Sequence, residues 1–309
     1  MSLRRQLAVS FTVQGAGAAA VLLATLWLGA RLGPQVQGGF SRVKSEIEFV
    51  VAFSMFGLPQ ALFYHLKSGA MSPGAALDWA LGSAAVAIPI GLGYAVLAHA
   101  GLGLWAIFAL TLAIAAGVAH GQLRGLLLGG ERTVWFNAMT ATPQILVLLG
   151  VAVVIATGAT PEPARWFAVF ALASALPAMA AWRRLHETRA LPCPSRVGWR
   201  RLAHYGLGAW LTAALATAAI VAMQRWVEVA VGRAALGQFT MAMTLVQVPL
   251  TPINYAAPLL FRRWMEQPGE RAARRWSAGW FAMMLTVAAL VAVGSLRWPD
   301  LGLGVAYAG

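Results

Sequence analysis

Four charges, Arg42, Lys44, Glu46 and Glu48, stand at alternate positions in the stretch GGFSRVKSEIEFVVAFSMFGLPQALF. Cations within a membrane can neutralise a phosphate or pyrophosphate, and carboxylates there can carry a proton or a sodium ion. Arg42 with Glu46 and Lys44 with Glu48 each have i,i+4 spacing, so both pairs can close along one helix, on nearly opposite faces. The order is cation before carboxylate, the weaker orientation, and cations near a helix N-terminus oppose its dipole. As a device for stabilising a helix end the cluster is poorly built. It reads either as the lining of a polar cavity or as a solvated end.

The same two readings apply to Arg225, beside Glu228 in MQRWVEVAVGR, where the competing role is an arginine snorkelling to the surface. Gln144 follows Pro143, and Gln247 and Asn254 lie among Pro249 and Pro252. Prolines free backbone carbonyls and kink helices, as in moving transporter helices, but plain interhelical hydrogen bonds also explain such amides. The candidate cavity set is therefore Arg42, Lys44, Glu46, Glu48, Arg225, Gln144, Gln247 and Asn254. His120 and Arg124, one turn apart, read as an interfacial helix end.

These residues sit in a chain built for a bilayer. Of its 309 residues 60% are hydrophobic and only 11% charged, where a soluble domain carries about a quarter charged. Nine apolar segments are long enough to cross roughly 30 Å of hydrocarbon, near 7–30, 40–64, 75–98, 102–124, 134–156, 165–182, 205–230, 236–261 and 276–296. Gly/Pro turns such as LGPQVQGG and two basic stretches separate them. With the N-terminus inside, the inner segments hold 16 of the 23 Lys and Arg. The positive-inside bias thus accounts for the net charge of +13, and nucleic acid is not needed to explain it. The first segment is too long for a signal peptide. The single cysteine, Cys193, falls in an inner basic loop and forms no redox or zinc motif. No nucleophile elbow, P-loop or metal-spaced cluster is present, so neither an enzyme nor a cofactor is expected.

An internal repeat organises the chain. Aligned without gaps, Gly33 meets Gly232, Gly38 meets Gly237, Phe40 meets Phe239 and Pro59 meets Pro258, each pair 199 residues apart. Six segments separate the copies, so both run in the same direction, the parallel-repeat arrangement of some transporters. In this register Arg42, Lys44, Glu46 and Glu48 face Met241, Met243, Leu245 and Gln247, so the fold does not require charge there. If hydrocarbon begins near Phe40, a rise of about 1.5 Å per residue puts Glu48 roughly 12 Å deep, where it should face protein or water.

The motif LGPQVQGGF, the segment ending FGLPQALFYHL and the later YGLGAWLTAALATAAIVAMQRWVEVAVGRAALGQF resemble the Wzx-type polysaccharide flippases, in the superfamily that also holds the MATE antiporters. The resemblance implies an all-α integral membrane protein with two six-helix lobes around a central cavity. It would move a polyprenyl-pyrophosphate-linked oligosaccharide across the cytoplasmic (inner) membrane by alternating access, for lipopolysaccharide or exopolysaccharide synthesis. Glycosyltransferases or a glycan polymerase are the partners it suggests. Such proteins have more spans than nine, so the chain reads as truncated: a complete lobe over 1–190, a basic linker over 191–204 and part of a second lobe over 205–309. A MATE-like cation antiporter using Glu46 or Glu48 is the alternative, and a membrane glycan polymerase the weaker one, because it lacks a long outer loop.

Overall fold

Gly33 divides the first helix of the bundle. In the computed structural model, which describes residues 3–130, 132–158, 162–187 and 197–247 with Tyr255, Gly279, Ala282, Leu285 and Thr286, α1 runs over Leu3–Ser54. At Gly33 its backbone turns to φ 84°, a conformation costly for any side chain, and Pro34 restarts the helix with the φ that its ring fixes. The reversal thus needs one residue. LGPQVQGG is not the turn expected from its Gly and Pro content, because everything after Gly33 is helical. The second predicted segment is in turn interrupted: Phe56 (φ 49°) and Gly57 (φ 66°) break the helix before α2, Leu58–Lys67.

The remaining helices are α3 (Pro73–Ala98), α4 (Leu104–Gly129), α5 (Thr133–Ala156), α6 (Pro163–His186), α7 (Trp199–Ala230) and α8 (Arg233–Gln247). Ser72 caps α3, accepting from Ala75 N at 3.2 Å, and Pro163 opens α6. Among the described residues all regular structure is helical, and six helices are long and apolar enough to span a membrane: Arg5–Ser54 of α1, and α3, α4, α5, α6 and α7. They hold the first seven predicted segments, the first two being joined in α1. The eighth is described through Gln247 and at Tyr255; of the ninth only Gly279, Ala282, Leu285 and Thr286 are described, and Cys193 and Asn254 lie outside the described residues.

Helix α4 runs through the middle of the bundle on a stripe of glycines. Gly117, Gly121, Gly125 and Gly129 lie against Val51, Met55, Pro59 and Leu66 with Phe63, so a four-residue ridge follows α1 across its break into α2. A Cβ on Gly117 or Gly121 would overlap these side chains. Small residues let helices approach closely where water supplies no driving force, and contact then comes from dispersion and backbone proximity. Two apolar clusters result. One surrounds Leu28, Phe40, Trp166 and Phe167, with Phe40 edge-on to Trp166 at 5.1 Å. The other, around Leu58, Leu62, Leu123 and Leu127, lies toward the opposite end.

The 199-residue spacing has a counterpart in the backbone at its glycines. Gly232, the counterpart of Gly33, also has positive φ, 108°, and α8 restarts after it as α1 restarts after Gly33. The two restarted helices cross at their paired glycines. A Cβ on Gly38 would strike Arg233 O and Gly237 N, and one on Gly237 would strike Pro34 O. Because Pro34 and Arg233 are themselves a 199-spaced pair, the contact is reciprocal, as between the halves of a two-fold dimer. Replacing Gly38 or Gly237 with Ala is expected to cost about 1–3 kcal/mol each, and less than the sum when combined, because both relieve or strain one contact. Denaturant unfolding in micelles measures this; neutral variants would show that the close approach is absent.

At the other end the break between α1 and α2 meets α7. Gly57 packs on the backbone of Gly206, Trp210 Nε1 donates to Phe53 O at 2.8 Å, and Tyr64 stacks on Tyr205 at 4.2 Å. Tyr255, counterpart of Phe56, donates its hydroxyl to Gln14 O at 2.7 Å.

Candidate functional site

The four charges of α1 divide as the helical geometry requires. Arg42 and Glu46 turn toward α3 and α7. Arg42 Nε donates to Glu46 Oε1 at 3.0 Å and its Nη1 donates to both oxygens of Glu228 at 3.1 Å. Glu228 also accepts from Arg225 Nη1 at 3.1 Å and from Arg233 Nε at 3.2 Å. His99, at the end of α3, places Nε2 3.3 Å from Glu46 Oε2. The Glu228 side chain is only 9% exposed, so a single carboxylate gathers three guanidiniums from α1, α7 and α8. Arg42, Glu46 and Arg225 therefore do not line the cavity expected of them. Their charge is spent on joining three helices near the Gly33 and Gly232 reversals, and Arg225 is mostly exposed.

Lys44 and Glu48 turn the other way, into a cavity of about 300 Å³. It borders the first apolar cluster and is lined by both halves of α1 with α4, α5 and α6, and α8 reaches it through Thr244. Lys44 Nζ stands 3.6 Å from Glu48 Oε1, long for a charge-assisted hydrogen bond. Ser41, one turn before Lys44, shares this face, and Gln144 reaches in from α5. Gly17 of α1 admits Gln144: a Cβ at that glycine would collide with the amide oxygen, which has no hydrogen-bond partner among the described residues. Of the candidate set, Lys44, Glu48 and Gln144 are brought together. Gln247 ends the described part of α8 outside the cavity lining, and Asn254 lies beyond the described residues.

His120 and Arg124 complete the lining, which overturns their assignment to an interfacial helix end. Each directly precedes a glycine of the α4 stripe, Gly121 or Gly125, so each is carried against the second half of α1 rather than out to the surface. His120 Nε2 is 2.7 Å from Met139 O; a carbonyl only accepts, so this nitrogen carries the proton and donates. Arg124 lies over the Phe136 ring, its Cζ 5.8 Å from the centroid, and no described carboxylate pairs with it. The aromatic face offers part of the stabilisation a counter-ion would supply. With Lys44, Glu48 and Arg124 as the charged lining residues, the cavity has an excess of positive charge.

A second polar group lies at the opposite end from Glu228. Ser10, Gln14 and Asn137 are buried together: Gln14 Nε2 donates to Asn137 Oδ1 at 2.6 Å, Ser10 Oγ donates to it at 3.1 Å, and Ser10 also reaches Tyr255 O at 3.4 Å. All its members are neutral, so it joins α1 to α5 and to Tyr255 without adding charge to the cavity.

Comparison of the chain with protein-family models, with curated proteins and with solved structures found no match.

Proposed function

We propose that the chain is a membrane transporter of an anionic, lipid-linked substrate, a flippase carrying a polyprenyl-pyrophosphate-linked oligosaccharide across the cytoplasmic membrane by alternating access, with its N-terminus cytoplasmic. The observation that carries this reading is Arg124, a guanidinium inside the spanning bundle, facing a cavity, with no carboxylate among the described residues to neutralise it. An uncompensated cation at that depth is costly unless something anionic visits it. Lys44 on the facing helix adds a second cation, and the Ser41 hydroxyl, the Gln144 amide and the His120 ring supply polar groups around them.

Size and composition refine the reading. A cavity of about 300 Å³ is at the lower end of small-molecule pockets. It suits a charged headgroup and leaves the sugar and the prenyl tail to be housed elsewhere, the tail in lipid. A cation antiporter fits less well, because Glu48, the one acidic side chain among the described lining residues, is outnumbered by Lys44 and Arg124. The parallel arrangement of two lobes, supported by the reciprocal contact of Gly38 and Gly237, supplies the moving parts.

Ligand choice by the purified chain tests the reading. In nanodiscs it should bind farnesyl pyrophosphate saturably and bind farnesol and tetraphenylphosphonium far more weakly. Preference for the lipophilic cation would transfer the assignment to the antiporter class, and no preference would remove the anion site.

A further inference from the structure

We propose that Glu48 is an internal competitor for the anion seat, holding Lys44 while the cavity is empty and yielding it when a pyrophosphate arrives. This rests on the reading of Lys44 and Arg124 as that seat. The two i,i+4 pairs of α1 have the same chemistry and opposite surroundings. Arg42–Glu46 is closed at 3.0 Å, and its arginine is held from the other side by Glu228. Lys44–Glu48 stands at 3.6 Å, its carboxylate side chain 55% exposed, and neither member has another ionic partner among the described residues. A loose pair in the less favourable cation-first order is easily exchanged.

The charges require such an exchange. A pyrophosphate linked at both ends has one negative charge on each phosphoryl group, which Lys44 and Arg124 together balance. With Glu48 still beside Lys44, the occupied cavity would contain an unbalanced negative charge in a region of low dielectric. Glu48 must therefore leave Lys44, by swinging toward its exposed side or by taking up a proton, as the anion seats. When it returns to Lys44 the anion is expelled. The carboxylate thus weakens binding and favours release, which a transporter needs and a storage site does not. It also discriminates, because a ligand must offer Lys44 more than the carboxylate does.

Equilibrium binding of a pyrophosphate diester, farnesyl pyrophosphate capped by a hexose, to the full chain in nanodiscs tests the exchange. Glu48→Gln should tighten binding about fivefold, the upper range for a partly exposed ion pair. The gain should vanish in the Lys44→Gln background, where nothing is left to compete for. Equal tightening in both backgrounds would mean that Glu48 merely repels the anion and would overturn the exchange, as would unchanged or weaker binding by Glu48→Gln. A wild-type chain that does not bind at all would instead remove the anion seat beneath it. Glu48 is exposed and Gln nearly isosteric, so a thermal unfolding curve matching wild type should accompany the binding result.

Discussion

Replacing Arg124 with Gln is expected to lower the affinity for farnesyl pyrophosphate by roughly 30-fold or more, about 2 kcal/mol, while the chain still inserts and unfolds at nearly the same temperature. The reason is asymmetric. Arg124 has no described carboxylate partner to lose, so its removal leaves no orphaned charge and strips only a cation–π contact with Phe136 and the packing of its aliphatic stem. A ligand phosphate, in contrast, would lose a charge-assisted and potentially bidentate contact. Arg124→Lys keeps the charge without the planar fork and should lie between the two. Arg42→Gln should leave binding within about twofold, because that guanidinium is committed to Glu46 and Glu228 and points away from the cavity. Equal losses for Arg124→Gln and Arg42→Gln would show that general positive potential attracts the lipid, and the seat would be wrong.

That contrast reverses an expectation from the sequence, and the reasons are geometric. Spacing alone establishes that Arg42 and Lys44 cannot share a face, since two residues of a helix are about 200° apart. It does not say which face meets the cavity. The answer depends on Glu228, 186 positions downstream of Arg42, which reaches it only because α7 packs back against α1, and on Arg233 of α8, which shares that carboxylate. Arg124 carried a readable signal of its own. The glycines of GVAHGQLRGLLLG recur every four residues, the mark of a helix face pressed against a neighbour, and the residues flanking such a stripe are pulled inward with it. Counting hydropathy along α4 places Arg124 near a span end and suggests the surface; counting glycines places it beside α1.

The glycines spaced by 199 residues were the most legible feature, because each stands where a side chain would be strained or would collide. Gly33 and Gly232 adopt positive φ to reverse the chain in one residue, and Gly38 and Gly237 admit a backbone where a Cβ would collide. Charge has no such constraint, and accordingly the register that pairs the glycines sets Lys44 against Met243 and Glu48 against Gln247. The helix break at Phe56 and Gly57 was hidden inside a continuous apolar run. Hydropathy is blind to backbone direction there, and the turn places Gly57 on Gly206, a contact 149 residues away in sequence.

Glu228→Gln is expected to be the most destabilising single change among the polar residues described, at about 2–3 kcal/mol. The wild-type carboxylate is nearly buried and compensates Arg42, Arg225 and Arg233 at 3.1–3.2 Å, while Glu46 compensates Arg42 from its other side. Neutralising it leaves three guanidiniums facing one amide oxygen, and like charges at that separation repel in a medium that screens poorly. The cost stays below the roughly 3–5 kcal/mol of a fully buried broken pair, because Arg225 and Arg233 are about half exposed and can turn to water. Arg225→Gln, which removes an exposed partner and leaves the carboxylate satisfied by two others, should cost under about 1 kcal/mol. Arg42 cannot turn away, since Glu46 holds it on the face that meets α7; the burden of the Glu228 change should therefore fall on the α1–α7 contact. A double variant, Arg42→Gln with Glu228→Gln, should accordingly recover part of the loss, a coupling that denaturant unfolding in micelles can resolve. Comparable losses for Glu228→Gln and Arg225→Gln, with no recovery in the double variant, would mean that the three arginines are independent surface charges and that the repeats are joined at this end by the glycine contact alone.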